Sequence, residues 1–149
     1  MFIRSYYMVD LERFYSAQRQ DYALALAEIQ NGYKESHWMW YIFPQIKGLG
    51  RSPTAKFYSI KDLDEAIAFL NDPYLGGNLR EISAELLNKI TDDAEDIFGK
   101  IDAMKLKSSM TLFHYAGEMC EENHVFFEVL CKFFGGEFDE KTLELIEEL

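Results

Sequence analysis

The residue types best suited to binding chemistry cluster in the stretch 36–53. It holds both tryptophans of the protein and a glycine-rich loop with two cations, Lys47 and Arg51. The glycines allow consecutive backbone N–H groups to turn inward, and the pair Ser52-Pro53 predicts a helix whose positive end faces the same loop. We therefore expect Lys47 and Arg51 to complete an anion site. An ordinary turn with a solvated arginine is the alternative, because the loop is neither a Walker loop nor a GxGxxG turn.

A second set of polar side chains, Lys105, Ser108 and Ser109, has the spacing that places residues on one face of a helix. Serine is a mediocre helix former, so two serines inside one helix need a reason. The hydroxyls and the ammonium could line a polar pocket, or the small residues could allow a neighbouring helix to pack closely. A nucleophilic Ser–Lys pair is a third interpretation. Both stretches are locally basic, with a net charge of +3 over residues 33–56 and +2 over residues 100–114.

Four aromatic or polar residues complete the predicted site. His37 is the best candidate for a general acid or base, although Glu35 is the one carboxylate near it in sequence. Trp38 and Tyr41 could stack against a ligand ring, and Gln45 could recognise a polar ligand edge. The structural alternatives are a histidine satisfied by a backbone carbonyl and tryptophans that belong to the core. The three histidines lack metal-binding spacings, so no metal site is predicted.

Size and charge limit the classes of function. A chain of 149 residues that is 48% apolar predicts a single domain, residues 1–149, with one buried core. Its net charge of −11 disfavours nucleic-acid binding, unless a local basic face overrides the repulsion of phosphates. No apolar run reaches the roughly 18 residues of a membrane span, and the stretch 1–7 lacks the order of a signal peptide. We therefore expect a cytoplasmic protein that does not engage a membrane.

Helix start and stop signals recur at short intervals and predict an all-α fold. We expect about eight or nine short to medium helices around an aromatic central helix. Helix starts are predicted at Asp10, Asp21, Ser52, Asp62, Asp72, Thr91, Asp102, Asn123 and Asp139, with stops at glycines such as Gly99 and Gly135. The segment 37–43 is apolar all round, which fits either a buried strand or a buried helix. A helix capped by Ser36 suits the neighbouring elements better, because a lone strand has no pairing partner.

Several unusual motifs occur together in this chain. They are Ser36-His37-Trp38-Met39-Trp40, Phe43-Pro44-Gln45, Gly48-Leu49-Gly50-Arg51-Ser52-Pro53, and Asp102 with Lys105 and Ser108-Ser109-Met110-Thr111-Leu112-Phe113. In this combination the chain resembles the bacterial domain of unknown function family 1810 over nearly its whole length. The resemblance implies a compact all-helical fold, including a helical aromatic segment, and implies no activity.

Together these patterns predict a pocket for a small anionic ligand, of which a nucleotide is one example, between the stretches 36–53 and 102–113. The predicted ligand-binding residues are Trp38, Tyr41, Gln45, Lys47, Arg51, Lys105, Ser108 and Ser109, with His37 as the candidate catalytic group. Whether a reaction follows is left open, and no cofactor is identified. The alternative is a protein-interaction or regulatory module without small-molecule chemistry. Dispersal of the predicted residues over separate surfaces would favour that alternative.

Overall fold

The computed structural model describes residues 9–148; residues 1–8, which include the stretch analysed for a signal peptide, and residue 149 lie outside the described part. Within that part the chain forms eight α-helices and one 3₁₀-helix. They are α1 (Glu12–Gln30), α2 (Met39–Ile42), α3 (Pro53–Tyr58), α4 (Leu63–Asn71), α5 (Pro73–Leu87), α6 (Ala94–Ala116), the 3₁₀-helix (Glu121–His124), α7 (Val125–Phe134) and α8 (Glu140–Glu148). The predicted all-α fold is confirmed.

Four of the nine predicted helix starts are real caps. Ser52, Asp62, Asp72 and Asp139 each accept a hydrogen bond from a first-turn backbone N–H, at 3.1, 2.9, 2.9 and 3.0 Å. Each bond satisfies an N–H group that has no partner within its helix. The short loops therefore follow from local sequence signals.

Other predicted starts are displaced. Asp102 lies inside α6, and the N-cap residues of α1, α6 and α7 are Leu11, Asp93 and His124 where Asp10, Thr91 and Asn123 were predicted. Ser36 does not cap α2, whose N-cap residue is Trp38.

One predicted break does not exist. A helix start was predicted at Asp21, but α1 runs without interruption through this residue. The Asp21 carboxylate accepts a hydrogen bond from the hydroxyl of Tyr41. Asp21 therefore serves a contact between helices and does not cap one, so this prediction is wrong.

A second predicted break is confirmed inside α6. Gly99 has φ +79°, a conformation that L side chains rarely adopt, and it separates the first turns of α6 from the rest. The segment after this kink carries Asp102, Lys105, Ser108 and Ser109 on one continuous helix. The kink therefore sets the direction of the predicted polar face.

The core is built from aromatic and branched side chains between α5, α6 and the helices around them. A chain of ring contacts crosses it, from Phe14 to Phe69 at 5.2 Å, to Phe113 at 5.3 Å and to Phe126 at 6.0 Å. The aromatic segment is helical, as predicted, but α2 is a single turn that packs against α1 and α3. Its position therefore depends on contacts outside its own sequence.

Candidate functional site

The buried carboxylate of Glu28 organises the backbone that leads into α2. It accepts hydrogen bonds from the Glu35 N–H at 2.9 Å, the Ser36 N–H at 3.0 Å, the Ser36 hydroxyl at 2.5 Å and the Trp38 indole N–H at 2.9 Å. Burial alone would raise the pKa of Glu28, but these bonds, led by those from Ser36, lower it to about 2. Trp38 is 0% exposed. It therefore belongs to the core and is not presented to a ligand.

Asp102 joins the two predicted stretches. Its carboxylate oxygens lie 2.8 Å from the Lys34 ammonium and 3.0 Å from the Lys105 ammonium. Burial alone would raise the pKa of Asp102, but the two ammonium groups lower it. Lys34 lies 5.0 Å from the ring centroid of Trp38, and Lys105 lies 4.0 Å from that of Trp40. The stretches thus meet through charge pairing and cation–π contacts, and the two lysines against one carboxylate leave one positive charge.

A shallow cleft lies beside Trp40, and we call it the Trp40 cleft. It is lined by Trp40, Gln45, Ile46, Gly50, Ala55, Tyr58 and Ser59, and its volume is about 10 Å³. That space holds about one water molecule, whereas pockets that enclose small molecules measure hundreds of Å³. Gln45 and the glycine-rich loop therefore do line one site, but the site is open and not enclosing.

The two predicted anion-binding cations lie in the loop next to this cleft. Lys47 follows the lining residue Ile46, and Arg51 follows the lining residue Gly50. Both side chains are exposed, and neither makes a salt bridge with any residue between 9 and 148. Their charge is therefore exposed on residues that follow the cleft lining in sequence.

The two predicted serines lie in the interior of α6. Ser108 donates its hydroxyl to the Met104 carbonyl at 3.2 Å, a bond within the helix. Ser109 is 0% exposed, and its hydroxyl has no hydrogen-bond partner in the described part of the chain. Neither serine lines the Trp40 cleft. Their placement favours the close-packing explanation of these small residues.

His37 and Tyr41 lie on the segment that enters α2. His37 is exposed, and its backbone carbonyl accepts a hydrogen bond from the Tyr41 hydroxyl at 3.4 Å. Burial, with the neighbouring Asp21 carboxylate, raises the pKa of Tyr41, while Gln18 donates to the Tyr41 carbonyl at 2.8 Å. Among residues 9–148 the His37 side chain makes no hydrogen bond that would form an acid–base pair. Tyr41 does not line the cleft, but its ring lies 5.0 Å from that of Tyr58, which does.

Sequence reasoning missed Trp40 as the indole at the cleft. Trp38, Met39, Ile42 and Phe43 are all buried, and their spacing places them on one side of a helical turn. Trp40 lies on the other side and is only partly buried. That i, i+4 pattern was the signal that could have distinguished the two tryptophans.

A larger cavity lies at the C-terminal end of α6, away from every predicted site residue. It measures about 150 Å³ and is lined by His114, Gly117, Glu118, Cys120, Glu121, Asn123 and His124. Burial lowers the pKa of His114, with Glu118 opposing the shift and His124 adding to it. Within the described residues no three His, Cys, Asp or Glu side chains are grouped so as to hold a metal ion.

Comparison with known proteins places the chain in a family. Residues 8–146 match the family described as "Protein of unknown function (DUF1810)", so the chain belongs to that family, as its motifs predicted. It is similar to the crystal structure of the conserved hypothetical protein Rv1873 from Mycobacterium tuberculosis, with 41% identity, a TM-score of 0.88, and coverage of 93% of this chain and 96% of that one. No curated protein matches the chain. Among the described helices, none has the length and apolar character needed to cross a membrane.

Proposed function

We propose that this domain binds a small anionic ligand at the Trp40 cleft. The observation that carries the proposal is the position of the Lys105 ammonium, which is held between Asp102 at 3.0 Å and the ring of Trp40 at 4.0 Å. Trp40 lines the cleft, whereas Lys105 does not. A lysine that is fixed in this way loses less conformational freedom when it binds an anion than a freely moving surface lysine does. Lys47 and Arg51 would add charge from the neighbouring loop.

The local charge supports this assignment. Asp102 neutralises one of the two lysines that it contacts, so the cluster of Lys34, Asp102 and Lys105 carries +1. Lys47 and Arg51 have no carboxylate partner within residues 9–148. In a chain of net charge −11 this side of the α2–α3 region is therefore a favourable place for an anion.

The volume of the cleft restricts how the ligand binds. About 10 Å³ does not enclose a nucleotide, so we propose that a phosphate or carboxylate group is held at the rim while the remainder of the ligand lies over the cleft. Gln45 would supply the polar lining, and Tyr41 would support Tyr58. Trp38, Ser108 and Ser109 are buried and would support the surface without contacting the ligand. A catalytic role for His37 stays a prediction.

The experiment is a thermal-shift titration with inorganic phosphate, pyrophosphate, AMP and ATP. A ligand at 100 times its Kd stabilises the folded state by about 2.7 kcal/mol, which is measurable for a domain of this size. Lys105→Ala should abolish the shift, because it removes the fixed ammonium while Asp102 keeps Lys34 as a partner.

Lys100→Ala is the matched control, since Lys100 is an exposed lysine of the same helix without a salt bridge in the described residues. It should leave the shift unchanged. An equal shift in wild type and Lys105→Ala, or no shift with any of the four anions, would contradict the proposal.

A protein-interaction module is the second candidate function. It is favoured by a specific observation. The aromatic side chain of Phe57 is exposed, and so are Lys47, Arg51 and Lys56, none of which has an acidic residue beside it in sequence.

A further inference from the structure

We infer that the segment formed by residues 46–61, which contains α3 and is called here the basic loop, is a docking surface for a short acidic peptide segment of a partner protein. The peptide would place an apolar side chain against Phe57 and carboxylates against the cations around it. This inference goes beyond the anion cleft, because it depends on Lys56, Phe57 and Lys61, none of which lines that cleft.

The first observation is charge. The basic loop contains Lys47, Arg51, Lys56 and Lys61, all with exposed side chains; no acidic residue lies between them, and Asp62 follows Lys61 directly. Eight other lysine and arginine side chains make salt bridges, yet none of these four does so within the described residues. Four unpaired positive charges on one loop attract a complementary acidic surface and accelerate its association.

The second observation is an exposed aromatic side chain that lies between these cations in sequence. Phe57 is 58% exposed, and its ring stands edge-on to that of Tyr58 at 4.8 Å and 82°. Aromatic side chains are enriched among the residues that dominate binding energy at protein interfaces, and charged residues commonly surround them. Lys56 and Phe57 are both exposed residues of α3, so an apolar and a charged group are presented by the same helix.

The third observation is that the basic loop is held in shape. Its ends are joined by two backbone hydrogen bonds, from the Lys47 N–H to the Ile60 carbonyl and from the Ile60 N–H to the Gln45 carbonyl, both at 2.8 Å. Ile46, Ala55 and Ile60 are buried beneath it. A compact loop with closed ends keeps its side chains positioned before the partner arrives, which reduces the entropy lost on binding.

The rest of the chain favours a short acidic peptide over a nucleic acid. With +4 in the basic loop and −11 in total, the remaining residues carry −15. A long polyanion that extended beyond the loop would approach this negative charge, whereas a peptide of about six residues, about 20 Å long when extended, would approach it less. Phe57 can pack against an apolar peptide side chain or stack on a nucleobase, so the distribution of charge, and not Phe57, favours the peptide.

The test is fluorescence anisotropy with a labelled peptide of six residues, four of them Asp or Glu, with Leu and Phe at the centre. Wild type should bind it, and binding should weaken as salt rises because the contacts are between exposed charges. Phe57→Ala should weaken binding about tenfold or more, as for a central interface residue. The double variant Lys56→Ala/Lys61→Ala should weaken it by a similar factor.

Matched controls separate docking from general charge and apolarity. Ile101→Ala and Lys100→Ala alter an exposed apolar residue and an exposed lysine on α6, and both should leave binding unchanged. Lys105→Ala should also leave peptide binding unchanged, so a failure of the anion cleft and a failure of this inference are distinguishable. Circular dichroism of each variant confirms that it is folded.

Three results would overturn the inference. One is equal peptide binding by wild type and by the Phe57→Ala and Lys56→Ala/Lys61→Ala variants. Another is tighter binding of a twelve-nucleotide single strand than of the acidic peptide, which would assign the loop to nucleic acid. The third is a wild-type dimer in sedimentation velocity that Phe57→Ala converts to a monomer, which would assign the loop to a second copy of the chain.

Discussion

Glu28 accepts the indole N–H of Trp38 at 2.9 Å, and this bond ties the last turn of α1 to the entrance of α2. The same carboxylate holds the N–H groups of Glu35 and Ser36. The position of the aromatic segment thus depends on a buried polar contact as much as on apolar packing. The Trp40 cleft is built on that segment, so Glu28 acts on the site from a distance.

Replacing Glu28 with glutamine should destabilise the fold. The amide keeps one acceptor oxygen, but its NH₂ group cannot accept hydrogen bonds from the remaining donors. Loss of charge-assisted bonds to a buried group predicts a decrease of about 2–4 kcal/mol in the free energy of unfolding, measured by urea denaturation. Glu147→Gln, at an exposed position, should change it by less than about 0.5 kcal/mol. Equal effects of the two substitutions would show that the buried contacts do not contribute.

The stabilisation by Glu28 should disappear in acid. Its pKa is about 2 in the folded protein against an ordinary value of 4.5, so the stabilisation is fully present above about pH 4.5 and is lost as the pH falls towards 2. Its magnitude is on the order of 3 kcal/mol. Unfolding of wild type and Glu28→Gln should therefore differ most above pH 5 and converge near pH 2. A difference that stayed constant over this range would rule out the lowered pKa.

Ser109→Ala should be neutral or stabilising by up to about 1 kcal/mol. A buried hydroxyl without a partner is unfavourable, and alanine removes it without leaving another group unpaired. Ser108→Ala is the comparison, because that hydroxyl is hydrogen-bonded to the Met104 carbonyl. Urea denaturation measures both variants. Destabilisation of Ser109→Ala by more than about 1 kcal/mol would reveal a buried partner for its hydroxyl.

Gly50→Ala should distort the Trp40 cleft. A Cβ atom at this position would lie 2.5 Å from the Ala55 Cβ and 3.6 Å from the Trp40 ring. Relieving this overlap should reduce stability by about 1–3 kcal/mol and weaken anion binding. Gly77→Ala is the control, since a Cβ there meets nothing within 4 Å and the residue lies inside α5. That variant should be stabilised by up to about 1 kcal/mol. Equal melting temperatures and equal anion-induced shifts for Gly50→Ala and Gly77→Ala would contradict the prediction.

Features set by neighbouring residues were predictable, and features set by distant ones were not. Ser52 and Asp72 cap helices through bonds to residues two or three positions away, so the local pattern suffices. Asp21 has the same residue type, but its partner Tyr41 is twenty residues away, and no local signal shows this. The assignment of Trp38 to the core likewise depends on Glu28, ten residues earlier. The charges at the site could be counted from the sequence. The openness of the cleft could not be predicted, because it depends on packing between residues that are distant in sequence.

The paired backbone bonds between Ile60 and residues 45 and 47 also have a consequence for engineering. Since these bonds close the segment at its base and Ala55 is buried within it, exposed side chains such as Lys56 and Phe57 can be exchanged without altering the helices on either side. Proteins built on this scaffold could acquire different binding specificities through changes at those exposed positions alone.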